Sequence, residues 1–363
     1  MKIVYVITGL GLGGAELQLV EIARKFNQLG HEIHIISLFG ETLVDFGSDD
    51  ITVHEINMNK SFQGIALAIF RLRNKIIQLH PDVVHSHMVH ANIISRLVRA
   101  ITPIKKLICT AHSNKECGKL LAILYKHTNR WCDVFTHVSE AGIRDFIKQG
   151  IVNESEMVCV YNGIDTDRFQ LSSYKRNAFR LHLGINKKTP LIISVGRLTE
   201  PKDYPTLLES ASYLVRKNIH FHWMIIGDGP LKEMLEQSIL DLDLVGYVTL
   251  VGSKRNVESY MAAGDCFVLS SQYEGFGLVV AEAMAMECPV VVTDCGGVAE
   301  IVGEFGEVVP VSQAKKLAKA VENTLLKSSD DLAAVTSCGR KRVIDKFSLS
   351  KIINDWKTIY EIK

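Results

Sequence analysis

The sequence predicts an α/β protein built as two doubly wound domains, and three observations carry this. Short runs rich in Val and Ile alternate with longer amphipathic stretches, and the alternation stops after residue 162 and restarts near residue 190. The 363-residue length suits two cores of ordinary size. Nearly continuous apolar strands separated by helices indicate parallel sheets covered on both faces.

In the first half, strands are expected at 2–8, 32–38, 82–87, 106–111, 133–138 and 157–162, and helices at 15–29, 64–79, 91–101, 119–130 and 140–149. The second half repeats the pattern with "PLIISVG" (190–196), "FHWMIIG" (221–227), "YVTLVG" (247–252), "CFVLSS" (266–271) and "CPVVVTD" (288–294). The polar stretch 168–190 carries no strand and marks the boundary. At the end, "SLSKIINDWKTIYEIK" reads as an amphipathic helix with Ile352, Ile353, Trp356 and Tyr360 on one face, able to pack on either domain.

With 47% hydrophobic and 22% charged residues, the composition indicates no disordered or fibrous segment. No uncharged run approaches the ~18 residues of a spanning helix, and "MKIVYVITGLGLGGAE" suits a strand and turn better than a leader. Eight cysteines without C-x-x-C spacing read as reduced thiols of a cytoplasmic protein. Net charge is +1, yet residues 58–130 carry twelve Lys/Arg against Asp82 and Glu116.

"TGLGLGGAE" places Gly9, Gly11 and Gly14 as G-x-G-x-x-G between a strand and a helix. Such glycines let backbone N–H groups approach an anion. The acid expected about 20 residues further on for a dinucleotide ribose is missing at the end of the second strand, where Glu41 comes late. A nicotinamide or flavin enzyme and a ligand-free tight turn both stay open. "HSHMVH" sets His85, His87 and His90 at metal-ligand spacing, but no second cluster accompanies them. The plainer expectation is that His85 and His87 point to opposite or partly buried sides of a strand end and make hydrogen bonds.

The second half is more specific. Arg197 and Lys202 follow its first strand, at the carboxyl edge where α/β ligands bind, and two such cations can grip a diphosphate. "SQYEGFGLVVAEA" holds Glu274 in a loop and Glu282 about a turn and a half into a helix that starts near Gly277. A glycosidase pair places its carboxyls about 5 to 9.5 Å apart, while eight residues of helix span about 12 Å. Holding vicinal hydroxyls suits the two carboxylates better.

Taken together, Glu274 and Glu282, the "GRL…K" of Arg197 and Lys202, the "YNGID" of Asn162 to Asp165, "GDGP" (Gly227–Pro230) and "GGAE" resemble the GT4 family of retaining, sugar-nucleotide-dependent glycosyltransferases. The resemblance implies the GT-B fold: two Rossmann-like domains facing across a cleft, an acceptor-binding one of residues 1–168 plus the helix 347–363, and a donor-binding one of residues 169–346.

It further implies that Arg197 and Lys202 neutralise the donor diphosphate, Glu282 binds ribose hydroxyls and Glu274 binds the transferred sugar. The backbone of Gly275, Phe276 and Gly277 would contact sugar and phosphate, with Gly229 and Leu278 completing the donor set. His112, in "CTAHS", would face the donor sugar and support an oxocarbenium-like transition state, and Gly13 and Gly14 would approach the diphosphate or acceptor. Lys254 and Arg255 would lie near the donor base, although Asn256 stands where the family often has Asp. No cofactor and no metal are implied; the departing phosphate helps to deprotonate the acceptor.

The donor expected is a UDP-sugar carrying a hexose or N-acetylhexosamine. The acceptor is a saccharide or lipid-linked saccharide of surface polysaccharide biosynthesis. "KSFQGIALAIFRLRNKIIQ" and "KECGKLLAILYKHTNR" mix cations with apolar residues, as in helices lying on an anionic membrane. Peripheral contact through residues 60–130 at the inner face of the cytoplasmic membrane is therefore expected. A solvated basic face with its apolar residues in the core competes with it, and no recognised module points to nucleic acid. Rival functions are the oxidoreductase of Gly9, Gly11 and Gly14 and a non-catalytic sugar-nucleotide binder.

Overall fold

Strand β1 (Lys2–Gly9) shows how the sheets form: Ile3, Tyr5 and Ile7 enter one buried cluster, Val4 and Val6 another. A strand whose successive side chains both find a core needs apolar residues at every position. The structure, a computed structural model, describes all residues except Leu12, Ser48, Asp49, Asn114 to Cys117, Lys187, Ile362 and Lys363, and the side chain of Lys119. Lys115 and Glu116 of the basic segment thus lie outside the described residues. The chain forms two compact units, residues 1–163 with 349–363, and residues 164–348.

In the first unit, β1 is followed by β2 (Glu32–Phe39), β3 (Thr52–Glu55), β4 (Val83–His87), β5 (Leu107–Ala111), β6 (Val134–His137) and β7 (Val158–Cys159). They form one parallel sheet in the order β3-β2-β1-β4-β5-β6-β7. Helices Phe62–Leu79, Val89–Ile101 and Lys119–Thr128 lie side by side over one face. The other face is covered by helix Gly14–Gln28 and the terminal helix Leu349–Tyr360, whose Ile352, Ile353, Trp356 and Tyr360 are all buried there. Tyr360 Oη lies 2.6 Å from His85 Nδ1. The alternative left open by the amphipathic pattern is thereby decided in favour of the first unit.

The second unit holds β8 (Leu191–Val195), β9 (His222–Ile226), β10 (Val248–Gly252), β11 (Cys266–Leu269), β12 (Val290–Thr293) and β13 (Glu307–Val309), parallel in the order β10-β9-β8-β11-β12-β13. Strand direction of growth reverses between β8 and β11, as it does between β1 and β4 in the first unit. Ligands of such sheets bind at this switch point, beyond the carboxyl ends of the strands. Two strands, β3 and β13, escape the sequence pattern because each is short, polar in part and at a sheet edge. The polar stretch between the two strand series contains helix Ser173–His182, and its Arg180 donates to Asp265 Oδ2 at 2.9 Å and to the Ala263 carbonyl at 2.8 Å.

Candidate functional site

The loops after β8 and β11 flank the switch point of the second unit and are joined by backbone. Gln272 N donates to the Pro201 carbonyl at 2.8 Å, and Ser270 Oγ donates to the Lys202 carbonyl at 2.8 Å. Across this junction Lys202 Nζ meets Glu274 Oε1 at 2.5 Å, with side-chain exposures of 22% and 15%, and Ser271 Oγ donates to the same oxygen at 2.8 Å. The cation expected for a diphosphate and the carboxylate expected for a sugar are thus paired with each other. Arg197 stands exposed on the same loop and forms no salt bridge among the described residues.

The residue after Lys202 is the N-cap of the next helix. Asp203 is a non-glycine residue with φ +48°, and its carboxylate caps helix Tyr204–Arg216, accepting from Thr206 Oγ1 at 2.9 Å and from Ser312 Oγ at 3.0 Å. Asp is among the few residues that tolerate this left-handed region. Neither Asp203 nor Ser271 was anticipated from sequence; the Asp before "YPTL", an N-cap followed by Pro at the second helical position, was the legible signal for the former.

Gly277 has φ +101°, and a Cβ there would lie 2.9 Å from Val298 Cγ2, so only glycine starts helix Leu278–Ala285 in this way. That helix has no side-chain cap hydrogen bond, and a helix start left in this way suits an anion. Phe276 is buried against Phe347, ring centroids 5.6 Å apart, which leaves its backbone rather than its side chain to a ligand. Glu282 stands half-buried at the fifth position of the helix, with Leu278 at the first.

Gly229 has a packing role: a Cβ would lie 2.5 Å from the Leu198 carbonyl oxygen, so the "GDGP" turn closes tightly on the loop bearing Arg197. Lys254 and Arg255 are exposed after β10, two strands, or about 10 Å, from β8. The Arg255 carbonyl accepts from Arg168 Nη2 at 3.2 Å.

In the first unit, Gly13 precedes helix Gly14–Gln28 in an extended conformation. The Glu16 carboxylate turns back over this loop, with Oε2 2.4 Å from where a Gly13 Cβ would stand. An anion approaching the glycine loop meets a carboxylate already near the helix N-terminus, which opposes a dinucleotide pyrophosphate at this place.

His85 and His87 do not point to opposite sides. Residues two apart on a strand share a face, and their rings lie 4.0 Å apart, both fully buried. His85 bonds Tyr360 Oη and Thr110 Oγ1, the latter at 2.7 Å. His90 instead lies edge-on to Phe39 from helix Val89–Ile101. His112 follows β5, with Nε2 2.9 Å from His87 Nδ1, and burial pushes its pKa down to about 3. It is a neutral imidazole over the whole physiological range.

Known proteins share this architecture. Residues 12–168 match the family described as Glycosyltransferase Family 4, and residues 175–342 match Glycosyl transferases group 1. The chain is 25% identical to the N-acetyl-alpha-D-glucosaminyl L-malate synthase of Bacillus anthracis, over 96% of this chain and 94% of that protein. It is 25% identical to the UDP-Gal:alpha-D-GlcNAc-diphosphoundecaprenol alpha-1,3-galactosyltransferase of Escherichia coli, over 77% and 75% of the two chains. The solved structure of Anabaena Alr3699/HepE in complex with UDP-glucose has the same fold, with a TM-score of 0.87 at 21% identity and 100% of both chains covered. These matches replace the oxidoreductase reading of the glycine loop. On two Rossmann-like sheets of GT-B type, and with the two family matches following one another along nearly its whole length, the chain belongs to the GT4-type glycosyltransferases.

Proposed function

We propose that the protein transfers a hexose or N-acetylhexosamine from a UDP-sugar, with retention at the anomeric carbon, to a saccharide or lipid-linked saccharide in surface polysaccharide biosynthesis. The observation that carries this is the Lys202–Glu274 pair at the switch point of the second unit, beside Arg197 and the uncapped start of helix Leu278–Ala285. Arg197 and Lys202 neutralise the diphosphate, and fixed cations with helix N–H groups stabilise it as it leaves, with no metal and no cofactor. Glu274 holds the sugar, Glu282 the ribose, and the backbone of Gly275, Phe276 and Gly277 the phosphates. Lys254 and Arg255 act on the base side of the donor. His112, uncharged, acts on the donor sugar, where a developing positive charge meets no repulsion from it. The first unit, residues 1–163 with 349–363, takes the acceptor, and Gly13 and Gly14 lie on its approach.

The choice of a UDP donor is supported by the UDP-Gal named for the Escherichia coli relative and the UDP-glucose of the Anabaena structure. A lipid-linked acceptor is supported by the diphosphoundecaprenol in the former name and by the surface of the first unit. Phe62, Phe70, Leu120 and Ile123 are exposed on the outer two of the three adjacent helices, at 87%, 56%, 72% and 54%. Lys60, Arg73, Lys75 and Lys126 accompany them, whereas Arg96 is buried and Arg99, Lys105 and Lys106 are paired with Asp133, Asp82 and Glu361. The expectation that these apolar residues fill the core fails for those four. A peripheral seat on an anionic membrane follows from this mixture; no helix among the described residues is long and apolar enough to cross one.

Hydrolysis of a panel of UDP-, GDP- and ADP-sugars tests the donor: turnover of a UDP-sugar is expected, and activity confined to another base overturns the choice. Retention is read from the anomeric configuration of the product by NMR. His112→Ala with near-normal turnover beside an inactive Arg197→Ala would remove His112 from the mechanism. Sedimentation with phosphatidylglycerol vesicles at low salt tests the membrane seat; a protein left in the supernatant refutes it.

A further inference from the structure

Strands β4, β5 and β6 end side by side, and one face of the three carries a connected row of polar groups. His87 is in register with Thr110, and Ala111 with His137. His85 Nε2 lies 2.7 Å from Thr110 Oγ1, which lies 2.7 Å from Thr136 Oγ1. With Tyr360 at its other nitrogen, His85 is fully occupied. His87, its ring tilted against that of His85 with centroids 4.0 Å apart, is not: Nδ1 meets His112 Nε2 at 2.9 Å, and the buried Nε2 has no hydrogen-bond partner among the described residues.

A buried ring with one unpaired nitrogen is an expensive way to fill space, since a buried unsatisfied polar atom costs about 1–3 kcal/mol. Leucine would fill this site without that penalty. What the histidine adds is the bond to His112. We infer that His87 is a positioning residue: the hydrogen bond between its Nδ1 and Nε2 of His112 fixes the orientation of the imidazole that acts on the donor sugar. The inference rests on the proposed role of His112 in turnover, while the bond itself stands independently of it.

Both rings are neutral, because burial opposes their protonation, so the bond joins two neutral imidazoles with a single proton between the facing nitrogens. Either ring can supply that proton, since the outer nitrogens, His87 Nε2 and His112 Nδ1, are buried alike; in both cases the same bond holds the ring of His112. On the other side of the same strand end, His137 accepts from Ser139 N at 3.1 Å and lies against the Ser113 backbone, the residue after His112.

Correlation NMR across the hydrogen bond, on protein with 15N-labelled histidine, reads this directly, without substrate. The expected result is a coupling between His87 Nδ1 and His112 Nε2 in the wild type; its absence overturns the inference. In turnover of the UDP-sugar found active, His87→Leu should lower kcat about a hundredfold, as misplacement of a reacting group does, with the donor KM unchanged and His87→Asn recovering most of the loss. Equal losses in two folded variants refute positioning, and so does full activity in both. If His112→Ala stays active while the NMR result holds, the role of His112 has failed and the His87–His112 bond has not.

Discussion

Replacing Glu274 by glutamine removes one charge from the Lys202–Glu274 pair and nearly nothing else. At 2.5 Å and an effective dielectric near 20, the attraction is about 7 kcal/mol before desolvation. Desolvation of two charges offsets most of it, but losing one partner of a buried pair costs about 3–5 kcal/mol because the other charge stays behind. With Glu274 15% and Lys202 22% exposed, solvent recovers part of that, and about 2 kcal/mol is expected. For a unit of this size that is a fall in Tm of about 4–8 °C. The same change frees Lys202 for a phosphate: in the wild type a diphosphate must displace Glu274, and in Glu274→Gln it need not. UDP and inorganic pyrophosphate, which lack the sugar that Glu274 would hold, should therefore bind the variant about tenfold more tightly, a gain of about 1.4 kcal/mol, while sugar transfer is lost. Thermal unfolding and titration calorimetry with each ligand measure the first two effects, and a turnover assay with the UDP-sugar measures the third. A variant that binds UDP and pyrophosphate no more tightly than the wild type, with unchanged Tm, would refute the view that Glu274 holds the place of the donor phosphate.

Three further outcomes follow from the same coordinates. Burial holds His112 down at about pKa 3 and His137 at about 4, from 6.5; the unfolded chain takes up these protons first, so stability is full above pH 6.5 and falls as pH drops toward 3. The slope reaches about 1.4 kcal/mol per pH unit for each histidine, and urea midpoints that are equal at pH 7 and pH 5 would contradict it. Asp203→Gly keeps the φ of +48° at no strain and loses the cap and the bond from Ser312 Oγ, on the order of 1 kcal/mol. Asp203→Ala adds left-handed strain and should cost about 1–3 kcal/mol in urea unfolding; alanine as mild as glycine would show that the turn is not fixed by backbone conformation. Gly227→Ala places a Cβ 1.9 Å from the Gly196 carbonyl oxygen at a φ of +150°. The loop bearing Arg197 must then shift, and UDP binding should fall at least tenfold with a lower Tm; wild-type affinity would mean that the loop is not set by this contact.

Particular elements show where the sequence is legible. The near-continuous apolar runs from "KIVYVIT" to "CPVVVTD" became central parallel strands because each residue there has a core on its own side of the sheet. "TVHE" and "EVV" did not stand out, since an edge strand of three or four residues has no two-sided burial to write into its composition. Glu274, Arg197 and Lys202 were legible because glycine, a preceding strand and a following helix fix their place at a sheet's carboxyl edge. "HSHMVH" has the spacing of a metal pattern, but its last histidine lies on a helix, His85 bonds Tyr360, 275 residues away, and His87 bonds His112.

The sequence by itself determined two doubly wound sheets, the amphipathic terminal helix and the loops that carry the charged residues, because periodicity and turn chemistry are local. Tertiary structure alone decided which unit the terminal helix covers, that Lys202 and Glu274 are joined, that Glu16 lies over the glycine loop, and that His112 is held by His87. Each of these is a contact between side chains brought together by strand order, and strand order is set by how whole sheets bury their faces rather than by any local run of residues.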